Sequence, residues 1–570
     1  MKKIIPSSVY ALLCMFFWVV LYQYHLNYQE QVQLFSFTWA HLGKMLSFPG
    51  GICSYLSEFF VQFFISRWLG AIIMTALICG VQLLTWALMN VRRKPGVRFY
   101  PLSFVPSICC WAFLVGSNNL PSAVIALVIV MAAALVSAKK GGVALKLALT
   151  PVLYYICGPM AFIYVLLLKS VADFKSVREM GLIAFMAAIA VASAFIASAL
   201  CKQYPLGGFF YGLDYSSLQG VPGKSFFVMA LMPAVLTFCA RILPEGDHKG
   251  WFIPALLYVL VLLGGAKYVV GNTSAELEHI YAYDVATVRR DWTRIFSIGT
   301  ARIPSTPSEL TCLNLALAMC DKMGDNMFCF YQNGLSGLYP NYRNGYLLML
   351  PAGEALYQSG LLNMAMHYSF EAYESYPDFR ESARHLKRLA EINMINGQQA
   401  VADKYLTKLS YTLFYRKWAK TYLGHPERIA DDPEYARLME LRDTSDMIFN
   451  DVDDEAKREV LRSIVARTHK TGVTFNYLMA ADLLERDVPA FMEDLELVEF
   501  EGPLPTHYQE ALIMPWLRGW DAEAINDPRV SAEVRDRAIK FRNDVVNRKG
   551  DNYMIRNYGN TYWAYYIRTK

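Results

Sequence analysis

The sequence predicts an all-α protein in two parts: a polytopic bundle of transmembrane helices over residues 1–270, then a soluble helical domain over residues 271–570. Three observations predict it. Hydrophobic residues fill 55% of the 570 positions, too many for one ordinary soluble domain. They gather in long apolar runs confined to the first half. The charge divides at the same place: residues 1–270 hold 19 Lys and Arg against 7 Asp and Glu, net +12, and the remainder holds 35 against 42, net −7. The formal excess of positive charge is therefore no argument for nucleic acid, because it lies in short loops between apolar runs, where topology accounts for it.

The apolar runs cover about 8–22, 68–89, 100–116, 121–138, 147–168, 180–200, 226–240 and 251–270, which predicts seven or eight spans. The first follows Lys2 and Lys3, and Gln23-Tyr24-His25-Leu26 is no small-residue cleavage site, so it reads as a retained helix with its basic end inside. Arg92, Arg93, Lys94 and Arg98 place the next connection inside, and the uncharged 116–121 connection fits outside. Lys139, Lys140 and Lys146 return the chain inside, yet Lys169, Lys175 and Arg178 also want that side. A re-entrant or broken segment at 147–168, interrupted at Pro151 and Gly158-Pro159, reconciles them. Arg241 and Lys249 then lie inside, and the loop 201–224 and the soluble half lie outside. Eight simple crossings would instead leave the soluble half in the cytoplasm. The reading favours the bacterial inner membrane with a periplasmic C-terminal domain.

The long first external loop, 23–67, is too apolar for a free linker. Pro49-Gly50-Gly51 supplies a turn, and 52–64 alternates Ser54, Ser57 and Glu58 with aromatic residues, as expected of a helix along the membrane surface.

After Gly271, Thr273 and Glu276 have the spacing of a capping box. Gly353, Leu356, Ala365, Ala372 and Pro377 have the spacings of a tetratricopeptide-type repeat, in which small residues let paired helices approach closely; Ser369 departs from the pattern. Leu389, Ala402, Leu406 and Leu409 form a looser second unit. Ala365, Met366, Phe370, Ala372 and Tyr373 read as packing residues, as do the aromatics of the last sixty positions.

Eight of the 11 cysteines fall in the membrane half and read as small buried hydrophobes. No zinc spacing, nucleotide loop or nucleophile elbow is present. The chemistry-bearing residues of the external face are therefore the better lead. Glu30, Asp214 and Glu58 are the candidate catalytic carboxylates, and His25, Arg67 and Lys224 are candidate substrate-binding groups, the cations for a lipid phosphate. Simple interfacial solvation is the plainer account of each of them, since no spacing here fixes their geometry.

The stretch from Tyr24 through Glu30 to Pro49-Gly50-Gly51 and on through Phe64, with His507-Tyr508-Gln509-Glu510-Ala511, resembles a family of Bacteroidota multi-pass membrane proteins with a C-terminal helical-repeat region and no established activity. A more distant resemblance is to polytopic glycosyltransferases that use lipid-linked sugars. It implies a polyprenyl-phosphate sugar as substrate and Glu30 as catalytic base. The departure is that Glu30 stands alone between Gln29 and Gln31, where that group commonly has an acidic pair. No cofactor is expected, except a divalent metal in the glycosyltransferase reading. The alternative is a non-enzymatic scaffold whose helical surface docks an envelope protein; membrane lipids are partners in either case.

Overall fold

The computed structural model describes residues 3–216, 221–246, 252–340, 346–375, 381–442, 454–500 and 502–568. The chain forms two compact units: Met1–Glu278 with Tyr376–Ala383 and Tyr411–Arg416, and His279–Ser375 with Arg384–Ser410 and Lys417–Lys570. Both are helical, and the protein is a multi-pass membrane protein with a soluble helical, repeat-like C-terminal region.

In the first unit, α1 (Ile4–Phe16) continues through a wider π turn, Phe17–Leu21. Then come α2 (Gln23–Gln31), α3 (Trp39–Leu46) and α4 (Gly51–Val61) of the first loop. The spans α5 (Arg67–Arg92), α6 (Phe104–Leu114), α7 (Pro121–Lys140), α8 (Val143–Cys157), α9 (Ala161–Val171) and α10 (Val177–Leu200) follow. The short α11 (Gly208–Tyr211) precedes α12 (Lys224–Cys239) and α13 (Phe252–Asn272). Eight helical stretches among the described residues are long and apolar enough to cross a membrane.

Contacts sort the turns of this bundle into two ends. At the loop end, the Leu120 N–H donates to Tyr215 C=O at 3.1 Å and the Gly50 N–H to Tyr155 C=O at 2.9 Å. At the basic end, Arg92 pairs with Asp173 at 3.4 Å, and the Gly96 N–H donates to Pro244 C=O at 3.3 Å. The stretch Val143–Val171 starts beside Lys140 and finishes beside Asp173, both at the basic end. Its middle reaches the loop end, where the Tyr215 hydroxyl donates to Cys157 C=O and Gly158 abuts Gly50. Gly158 makes the reversal at φ +56°, a conformation that costs a Cβ-bearing residue, and Pro159 has no N–H to continue the ladder. α8 and α9 thus meet at the loop end, at Gly158.

In the second unit, helices pair in sequence. Tyr346–Gln358 packs on Leu362–Glu374, and Ala383–Ile395 precedes Gln399–Ser410. Leu356, Ala365 and Ala372 are buried, as are Leu389, Ala402, Leu406 and Leu409 of the second pair. The departing Ser369 is tolerated because its hydroxyl donates to Ala365 C=O at 2.8 Å. Two expectations change. Phe370 is exposed rather than packed. The cap near Gly271 is Ser274, whose hydroxyl accepts the Leu277 N–H at 3.2 Å, because Thr273 turns back onto Val270 C=O at 2.8 Å. Pro377, Lys249 and positions 217–220 of the 201–224 loop lie outside the described residues.

Candidate functional site at the loop end

The first loop folds with its polar residues inward. His25, Asn27, Gln29 and Glu30 of α2, Gln33, and Ser54, Ser57 and Glu58 of α4 are all buried, while Tyr55, Phe59 and Phe60 of α4 stay partly exposed. α4 is thus amphipathic in the reverse sense from a soluble helix, as suits a polar interior facing apolar surroundings.

Glu30 closes α2. Its Oε2 accepts from Gln31 Nε2 at 2.6 Å and its Oε1 from the Tyr415 hydroxyl at 3.1 Å. Burial raises its proton affinity to about 7, although both hydrogen bonds pull the other way. Tyr415 belongs to Tyr411–Arg416, the hexapeptide that forms part of this unit. The hexapeptide is held by the Phe37 N–H on Tyr411 C=O at 2.9 Å and by Phe414 edge-on to Phe63.

His25 is fully buried, and its Nε2 donates to Leu114 C=O at 3.0 Å. Burial lowers its proton affinity to about 4, so the ring is neutral at physiological pH. Tyr22 stacks on it at 5.0 Å. The start of α2 is capped by Glu278, which accepts the Tyr24 and His25 N–H groups at 2.7 and 2.9 Å. A carboxylate there meets the helix's positive end and its orphan donors. Burial nonetheless raises Glu278 to about 8, although both backbone hydrogen bonds pull the other way.

Glu58 Oε2 lies 2.9 Å from His41 Nε2. The neighbouring Ser57 donates to Gln33 Oε1 at 3.2 Å, and Gln33 Nε2 is buried with no partner among the described residues. Asp214 is partly buried, and its backbone C=O accepts from the Ser122 hydroxyl at 2.5 Å. The adjoining Ser216 bridges Asn119, whose carbonyl accepts from Gln29 at 3.3 Å. Glu30, Glu58 and Asp214 therefore share the loop end, each with its own partners. Arg67 is exposed and donates to Gln23 Oε1 at 3.1 Å; Lys224 is exposed in the first turn of α12. Among the described residues, no three His, Cys, Asp or Glu side chains converge to hold a metal. The described residues do not fit a resident divalent ion.

Residues 1–569 match a family of unknown function, DUF6057. The chain belongs to that family. No curated protein matches this DUF6057 chain, and no solved structure does. Its resemblance-bearing segment His507-Tyr508-Gln509-Glu510-Ala511 is entirely buried. Glu510 accepts from His507 at 2.9 Å and from the Tyr562 N–H at 2.8 Å, and its backbone C=O accepts from Trp563 Nε1 at 2.8 Å. That segment locks the C-terminal helix into the second unit. In the first unit, sequence reasoning missed Tyr415 and Glu278, because their partners lie 385 and about 254 residues away and no local pattern points to them.

Proposed function

We propose that this DUF6057 protein transfers a sugar from a polyprenyl-phosphate carrier at the loop end, with Glu30 as the general base. The observation that carries this reading is the state of Glu30: buried, oriented by Tyr415 and Gln31, and with a proton affinity near 7. A base is most effective when its pKa lies near the operating pH. Each carboxylate oxygen keeps a lone pair beyond its present hydrogen bond. Glu30 would take the proton of an acceptor hydroxyl as that oxygen bonds to the anomeric carbon. The carbon–phosphate oxygen bond breaks, and the carrier leaves with the electron pair. Exposed Arg67 and Lys224 supply positive charge for the carrier phosphate.

The same reading puts the loop end outside the cytoplasm. The basic end gathers Arg92, Arg93, Lys139, Lys140, Lys175 and Arg178, whereas the long first loop carries only Lys44 before Arg67. This bias favours the basic end as cytoplasmic, the loop end as periplasmic, and the bacterial inner membrane as the site.

The test is glycolipid or glycan product in cells carrying Glu30→Gln or Asp214→Asn, with protein levels followed in parallel. Loss of product at normal protein level is expected; unchanged product removes the proposal.

A second reading, a docking scaffold, is favoured by a polar cleft of about 860 Å³ within the second unit. It is walled by Asp321, Asn476, Tyr508 and Arg537. Co-purification of an envelope protein that is lost on Asn476→Ala or Arg537→Glu would support it, and retention of every partner would remove it.

A further inference from the structure

Two cysteines meet where the first loop touches the broken span. Cys53 lies in the first turn of α4, and its N–H donates to Gly50 C=O at 3.0 Å. Cys157 is the last residue of α8, and its C=O accepts from the Tyr215 hydroxyl. Glycines bring the two backbones together. A Cβ on Gly50 would stand 3.5 Å from the Gly158 Cα, and the Gly50 N–H donates to Tyr155 C=O at 2.9 Å. The thiols of Cys53 and Cys157 close this junction, fully buried and hydrogen-bonded to each other. Each is a free thiol in the structure. Cys201, also at the loop end, turns elsewhere, its Sγ donating to Ser47 C=O at 3.4 Å.

Packing as small hydrophobes accounts for either cysteine alone. It does not account for two thiols directed at each other, which is the geometric condition for an S–S bond of about 2.05 Å. We propose that Cys53 and Cys157 are joined as a disulfide in the folded protein, tying α4 to the turn between α8 and α9. The bond closes a loop of roughly 100 residues, long enough for a crosslink to remove much of the freedom of the unfolded chain. Its formation is a thiol–disulfide exchange with an oxidising dithiol protein. One cysteine loses its proton and attacks the oxidant's S–S bond, giving a mixed disulfide. The second loses its proton and attacks that bond, and the oxidant leaves as a dithiol with the two electrons. Both sulfurs are sealed once α4 is seated on α8, so the exchange takes place while the loop end is still open. Such oxidants work outside the cytoplasm. The disulfide therefore rests on the proposed orientation of the loop end, and not on the chemistry assigned to Glu30.

The test is the thiol state of the full wild-type chain taken directly from cells. Cells are lysed in acid, free thiols are capped with N-ethylmaleimide in denaturant, and peptides are mapped by mass spectrometry without reduction. The peptides carrying Cys53 and Cys157 are expected to be joined, two hydrogens lighter than their sum, and to separate on reduction. Cys14 and Cys79, neighbours inside the spans, are expected to be capped as free thiols. Recovery of Cys53 and Cys157 as capped thiols overturns the proposal, and so does either of them joined to Cys201. Labelling Lys202→Cys and Lys175→Cys from outside with a membrane-impermeant maleimide separates the causes. Free Cys53 and Cys157 with Lys202→Cys labelled refute the disulfide alone; free Cys53 and Cys157 with Lys175→Cys labelled refute the orientation with it.

Discussion

Glu30 and His25 lie on the same two turns of α2, and burial drives them to opposite ends of neutrality. Glu30 is raised from an ordinary value of 4.5 to about 7, and His25 is lowered from 6.5 to about 4. Each shift disfavours the charged form. The linkage has opposite pH windows. For Glu30, whose folded value is raised, the stabilising contribution is full below about 4.5 and is lost as pH rises to about 7. For His25, whose folded value is depressed, the contribution is full above 6.5 and is lost as pH falls toward 4. Thermal unfolding in detergent across pH 4–8 reads both: Glu30→Gln is expected to flatten the alkaline side, and His25→Gln the acid side. Tyr415→Phe removes a donor that favours the Glu30 carboxylate, and a charge-assisted hydrogen bond contributes about 1.5–3 kcal/mol. The midpoint of any Glu30-dependent activity is expected to move up by about one pH unit, where one unit corresponds to about 1.4 kcal/mol. An unmoved midpoint would separate Tyr415 from the function of Glu30.

At the scale of elements, two glycines shape the loop end. A Cβ on Gly51 would overlap the Met45 carbonyl, so α3 and α4 meet without a side chain between them. Gly51→Ala is expected to cost several kcal/mol, of the order seen for overpacking with backbone displacement, read as a lowered melting temperature. Gly158→Ala places a side chain at φ +56° and within 3.4 Å of the Tyr215 hydroxyl. With ψ at −143° the position lies outside the left-handed helical region, in backbone space essentially reserved for glycine, so the substitution is expected to cost roughly 1–3 kcal/mol, and Gly158→Asn is expected to restore nothing. The apolar runs were legible in the sequence because spanning requires only local length and composition. The Gly158-Pro159 break was legible for the same local reason. The sequence pattern of 52–64 identified an amphipathic helix, but the direction of its polar face depends on partners elsewhere. Ser57 and Glu58 turn inward because Gln33 and His41 are there to receive them. The cap on α2 and the Tyr415 contact were not legible, since each joins residues hundreds of positions apart.

At the scale of the molecule, α13 ends where α1 ends. The Ser274 N–H donates to the Tyr22 hydroxyl at 3.2 Å, and Glu278 holds the start of α2. We propose that Val143–Val171 returns to the end it left, which accounts for α13 ending beside Tyr22. Under the proposed orientation, and with Cys201, Cys320 and Cys329 replaced by Ser so that native thiols do not report, a membrane-impermeant maleimide applied to intact spheroplasts labels Lys202→Cys and spares Lys175→Cys. The reverse pattern would turn the protein over and put Glu30 in the cytoplasm.

The most direct measurement is the pH–rate profile of the purified full chain supplied with polyprenyl-phosphate sugar and an acceptor. The account predicts transfer that rises with pH to a plateau, with a midpoint near 7 that disappears, together with the activity, in Glu30→Gln. Transfer by Glu30→Gln at the wild-type rate and pH dependence would contradict it.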